Sequence, residues 1–153
     1  MTNATQPGTA LADMYEADET AWLDAMVELL HREEFAELDY AHLVEYLADM
    51  AGRDRREVES RLVTLIAHVL KWGYQPDHRS RSWRATILEQ RQELGRLVGR
   101  GVLRNHARAV LGDIYPEAVE RAAAETGLPD ETFPADIPYT LDELLAFDAT
   151  DDR

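Results

Sequence analysis

The sequence predicts an all-α fold: an antiparallel helical bundle of about five helices, then an extended Pro-containing segment and one short terminal helix. Three observations predict it. Apolar residues recur at spacings of three and four along five segments, which is the signature of amphipathic helices. No stretch alternates apolar and polar residues with period two for long enough to make a strand. Glycines, prolines and short polar residues of the helix-capping type fall between the segments.

Residues 1–12 are small and polar, with Pro7 and Gly8, and read as a flexible leader. A single domain is expected over 13–147, with an acidic tail at 148–153. The first helix is expected from about Tyr15 to Glu34, with Trp22, Met26, Leu29 and Leu30 on one face. Glu16, Asp18 and Glu19 crowd its first turns, where the helix dipole favours acids. Asp39 suits the cap of a second helix with the stripe Tyr40, Leu43, Val44, Leu47, Met50 and Ala51, which Gly52 would end.

Asp54 followed by Glu57 resembles a capping box opening a third helix to about Trp72, roughly 27 Å long. Val58, Leu62, Leu65, Ile66 and Val69 form its seam, and Gly73 and Pro76 would stop it. Ser80 or Ser82 can cap a fourth helix that carries Trp83, Ile87, Leu94, Leu97 and Val98 inward, until Gly99 and Gly101 break it. The fifth runs from near Leu103 to Thr126 on Ala107, Val110, Leu111, Ile114 and Ala118, with a kink or restart expected at Pro116. Gly127 and Pro129 terminate it, and Pro134 and Pro138 impose extended chain. Thr140 and Glu143 form a second capping box for a short helix through Phe147. The expected core contains Trp22, Leu47, Leu65, Val69, Ile87, Leu94 and Leu111.

Composition bounds the function. A chain of 153 residues with no cysteine has no disulfide, no thiolate metal site and no cysteine nucleophile. No apolar run of membrane-spanning length and no signal-like start occur, so a cytoplasmic protein with no membrane partner is expected. Charge is uneven: residues 1–50 carry net −11, residues 51–110 net +7 and residues 111–153 net −10. Such a layout suits self-complementarity, inside the fold or across an oligomer. Arginine supplies 15 of the 16 bases, which favours planar pairing with carboxylates or phosphates.

The stretch HVLKWGYQPDHRSRSWRATILEQR (His68 to Arg91) resembles the signature of an uncharacterised bacterial family, domain-of-unknown-function family 29. The similarity extends from about Met14 and Tyr15 through the end stretch ETGLPDETFPADIPYTLDELL, nearly the whole chain. The resemblance implies a small helical-bundle protein, with no established activity or ligand. Pro116 is a departure, because the family tends to keep an unbroken helix there.

Two constellations carry possible chemistry. The first is the basic-aromatic cluster Lys71, Trp72, Tyr74, His78, Arg79, Arg81, Trp83 and Arg84. Cations interleaved with aromatics serve single-stranded nucleic acid binding, charges tracking phosphates and rings stacking on bases. The simpler use makes Trp72 and Trp83 core anchors and pairs the arginines with carboxylates, and the acidity of the chain favours it. The second is Arg61 with His68, seven positions apart on one helical face, similar to the motif of HEPN ribonucleases. There the Arg would steady a phosphate and the His would move a proton. Leu62 departs from that pattern, which prefers a polar residue after the Arg.

Glu28 and His31 have the Glu-x-x-His spacing of carboxylate-bridged di-metal bundles, but no second copy exists, so neither metal nor cofactor is expected. Ser80 and Ser82 sit where caps belong, and phosphate loops and nucleophile elbows are absent from the sequence. The leading expectation is a non-enzymatic interaction or regulatory module that self-associates, with a protein partner of unknown identity. The alternative is a nucleic-acid-binding or HEPN-like RNA-cleaving protein using residues 71–84 with Arg61 and His68.

Overall fold

Six α-helices make up the regular structure of residues 7–150, the part of the chain that the computed structural model describes, and no strand occurs among the described residues. They are α1 (Pro7–Ala17), α2 (Glu19–His31), α3 (Tyr40–Tyr74), α4 (Arg81–Leu97), α5 (Val102–Thr126) and α6 (Leu141–Leu145). Single 3-10 turns at Phe35–Glu37, Pro76–His78 and Asp130–Thr132 occupy three of the connections. The chain packs as two compact units, Met1–Gly52 and Arg53–Arg153.

In the first unit, residues 7–12 are helical rather than a leader; positions 1–6 of that stretch lie outside the described residues. Pro7 is no obstacle, because a proline at a helix start has no hydrogen bond to lose. The single helix expected from Tyr15 to Glu34 is interrupted at Asp18 (φ −151°), whose Oδ1 accepts the Ala21 N–H at 3.0 Å and caps α2. Trp22, Met26 and Leu38 form the buried centre, with Leu11, Met14, Tyr15, Leu29, Leu43 and Tyr46 packed against it.

Asp39 does more than the cap the sequence suggests. Its Oδ2 accepts the Trp22 indole N–H at 3.1 Å and lies 2.7 Å from His42 Nδ1, and Tyr15 stacks on the His42 ring at 4.2 Å. Burial alone would raise the Asp39 pKa, but the hydrogen bonds from His42 and Trp22 outweigh it and hold the carboxyl below its ordinary value.

Within the second unit, α3 packs its Val58-to-Trp72 seam with α4, α5 and α6 around one core that includes Leu65, Val69, Ile87, Leu94 and Leu111. Neither Gly52 nor Gly73 ends a helix: α3 runs through both, and the Asp54–Glu57 box is helix interior. Among the glycines only Gly101 and Gly127 take positive φ, so Gly52 and Gly73 form no left-handed stop. An interior glycine costs about 1 kcal/mol relative to alanine, which a cooperative helix of 35 residues tolerates.

Ser80 caps α4 by accepting the Trp83 N–H at 3.1 Å. The fifth helix is continuous through Pro116 without the restart expected there, and Gly127 (φ 74°) closes it with an N–H bond to Ala123 O at 2.8 Å. Tyr115 OH donates to Pro134 O at 2.7 Å, anchoring the extended segment, and burial pushes its pKa up to about 12. Thr140 caps α6, which ends at Leu145, two residues before Phe147. Arg104 and Arg108 both pair with Asp142 of that helix. Of the expected acidic tail, Ala149 is buried in the core, while 151–153 lie outside the described residues.

Candidate interaction surface

The fold pairs four residues of the basic-aromatic cluster with one another, Lys71 with Trp83 and Arg79 with Trp72. Lys71 is 5 % exposed, pairs with Glu125 at 2.5 Å and lies 4.6 Å from the centroid of the Trp83 ring. Trp72 is buried, and Arg79 lies over its ring at 4.8 Å while donating from Nε to the Trp72 carbonyl at 2.9 Å. Tyr74 meets Phe133 edge-on at 5.2 Å. Of the cluster's four fixed cations only Arg81 and Arg84 are exposed, and His78 is exposed as well. Lys71, Arg79, Trp72 and Trp83 therefore hold the α3–α4 corner together, as cation–π and carbonyl contacts do in many helical corners.

Arg61 and His68 are drawn to different partners. Arg61 bonds to Glu57 Oε1 at 3.0 Å and to Gln90 Oε1 at 3.2 Å. His68 Nδ1 donates to the Thr64 carbonyl at 2.8 Å; burial lowers its pKa, aided by the Lys71 and Arg121 charges and opposed by that hydrogen bond and by Glu125. Arg121 in turn donates to Thr64 Oγ1 at 2.9 Å. A neutral imidazole with a fixed Nδ1–H is the form a proton acceptor needs, but here Arg61 is spoken for by Glu57 and Gln90.

Of the Glu28/His31 pair, Glu28 binds Arg32 at 2.8 Å, and no group of three or more His, Cys, Asp or Glu placed to hold a metal ion occurs among the described residues.

What the charge-centred reading of the sequence overlooked is the apolar surface of the first unit. Among the described residues, ten large hydrophobics are exposed, and seven of them (Val27, Leu30, Phe35, Tyr40, Val44, Leu47 and Met50) lie in this smaller unit. Leu47, expected in the core, is 58 % exposed, and Val44 is 67 % exposed. The physical reason is the angle between faces. At 100° per residue, Leu43, Tyr46 and Met50 share one face of α3, and Leu43 and Tyr46 pack on the Trp22 centre. Tyr40, Val44 and Leu47 centre on a direction about 90° from it, where none of the described residues of the unit buries them. Sequence periodicity shows one wide stripe, but it cannot tell which half is buried.

The first unit also holds a groove of about 950 Å³ with Leu11, Ala25, Leu29 and Phe35 in its walls and Glu33, Glu34 and Glu37 among its polar groups. Glu33 holds a left-handed backbone (φ 56°) that closes α2: its N–H bonds to Leu30 O at 3.1 Å and the Glu34 N–H to Leu29 O at 3.0 Å. Tyr40 OH donates to Phe35 O at 2.8 Å and ties the turn to α3. The groove is therefore shaped by backbone bonds, with carboxylates on its rim.

A protein-family model, domain of unknown function DUF29, matches residues 14–149, nearly the whole chain. No curated protein and no solved structure matches it.

Proposed function

The chain belongs to the DUF29 family, and as that membership assigns no activity, we propose from its surfaces that it is a non-enzymatic interaction or regulatory module that associates with a second copy of itself. The observation that carries this reading is the exposed stripe Tyr40, Val44 and Leu47 on α3, in a unit that holds seven of the ten exposed large hydrophobics among the described residues. Fully burying one such side chain contributes about 1.5–3 kcal/mol, so two facing stripes supply what exposed ion pairs, at about 0–1 kcal/mol each, do not. Contiguous apolar surface of this kind marks association sites.

The nucleic-acid alternative loses support where Lys71 and Arg79 are already engaged. A single strand would have to rely on exposed Arg81 and Arg84, and on Tyr74, while approaching a chain of net charge −14. A cytoplasmic setting is proposed with the same module, supported by its cysteine-free composition; no helix among the described residues is long and apolar enough to cross a membrane.

The test is mass by light scattering at micromolar concentration. The wild-type chain is expected at twice 17.4 kDa, and a species of 17.4 kDa alone overturns the reading. In parallel, labelled single-stranded RNA and DNA are titrated at physiological salt. Weak or no binding and no cleavage are expected, and RNA cleavage abolished by His68→Ala promotes the ribonuclease alternative.

A further inference from the structure

We infer that the acid-rimmed groove of the first unit receives helix α4 of a second copy, through Leu88 and the arginines around it. This rests on the proposed self-association and names the surfaces that meet.

The groove selects for the occupant's chemistry. Its volume, about 950 Å³, lies at the top of the range of small-ligand clefts, roughly 300–1,000 Å³. Small-ligand clefts, however, fix their ligand with several convergent polar groups. Here the side chains of the walls, Leu11, Leu29 and Phe35, are apolar, and charge is supplied by Glu33, Glu34 and Glu37, all exposed. Arg32, the first unit's only base, already pairs with Glu28. An apolar floor under an anionic rim fits an apolar knob flanked by cations.

This chain carries such a knob. Leu88 is 49 % exposed on α4, one of only three large exposed hydrophobics in the described part of the second unit. Arg81 and Arg84, both exposed, precede it by seven and four residues and so lie on its face, within about 40° of it. Ala85, Arg91, Gln92 and Gly95 complete that face, Arg91 donating from Nε to the Leu145 carbonyl at 2.8 Å. Arg84, Leu88 and Arg91 line a small cleft with Asp148, whose Oδ1 accepts the Thr150 hydroxyl at 2.6 Å. The arginines are planar donors suited to the glutamates of the rim. In the proposed pair each copy gives its α4 to the other's groove, the reciprocal exchange of an isologous dimer.

Charge reversal on either side tests this, read by light scattering and by the dissociation constant. Glu34→Arg/Glu37→Arg in the groove and Arg81→Glu/Arg84→Glu on α4 are made separately, with circular dichroism confirming that each folds. Each double variant alone is expected to dissociate at least about tenfold more readily than wild type. Mixed in equal amounts, the two variants restore both contacts at once, so a heterodimer of near-wild-type affinity is expected. Asp13→Arg/Asp49→Arg, reversing two acids outside the groove lining, controls for net charge and should leave the dimer intact. A wild-type dimer indifferent to both reversals, or one weakened equally by the control, overturns the α4 contact and leaves self-association standing. A monomeric wild type overturns both.

Discussion

Single side chains carry several duties in this molecule, and Asp39 carries the most. It caps α3, accepts the buried Trp22 N–H and holds His42, so Asp39→Ala removes a cap and strands an indole donor. A loss of about 2–3 kcal/mol is expected in chemical denaturation, with Asp39→Asn recovering part of it. Because its folded pKa is depressed, the contribution of Asp39 is present above the ordinary carboxylate value and is lost as pH falls through the lower folded one.

His68 also has a lowered folded pKa, through burial. Its neutral form is favoured in the fold, so stability is retained above the ordinary imidazole value of 6.5 and declines as pH falls through the folded one. His68→Gln should flatten the fall in melting temperature between pH 7 and pH 5; an unchanged slope would remove His68 as its source. Glu33→Gly should stabilise the chain by about 0.5–1 kcal/mol, because glycine adopts the left-handed backbone without a Cβ penalty. The Asp39 cap was legible in the sequence, but its bond to Trp22 was not, since 17 residues separate them.

Among the helices, those with a sharp chemical stop were readable and those with soft punctuation were not. Ser80 and Thr140 cap as expected, and Gly127 closes α5 because only there and at Gly101 does a glycine take positive φ. Gly52 carries the same letter without the same conformation, and α3 continues. Asp18 breaks the first expected helix by capping α2, a role invisible while it is counted only as one acid among several. The seam of α3 was fully legible where it is enclosed: Leu65 has no exposed surface, and Leu65→Ala should cost about 2–5 kcal/mol by equilibrium unfolding. Lys71, one cation of the candidate basic-aromatic cluster, is a buried strut. Truncating Glu125 to Ala leaves its ammonium short of an acceptor, at an expected cost of about 1–2 kcal/mol given the half-exposed carboxylate.

At the scale of the molecule, charge and apolar exposure are both concentrated in the first unit. Residues 1–50 hold twelve acids and one base, and the same unit leaves Tyr40, Val44 and Leu47 bare. The all-α class was legible because periodicity is local. The surface was not, because burial depends on how many neighbours a helix finds, and the first unit offers too few to cover both halves of the apolar arc of α3. Association supplies the missing neighbours, with the stripe giving affinity and the uneven charge giving register. The most direct measurement is the mass of Val44→Lys/Leu47→Lys beside wild type, by light scattering at one micromolar concentration. Both substitutions lie on exposed helical positions, so the variant should keep its helix content. The expected result is a wild-type dimer and a folded variant of 17.4 kDa. A folded variant that keeps the wild-type mass, whatever that mass is, contradicts the role assigned to the α3 stripe.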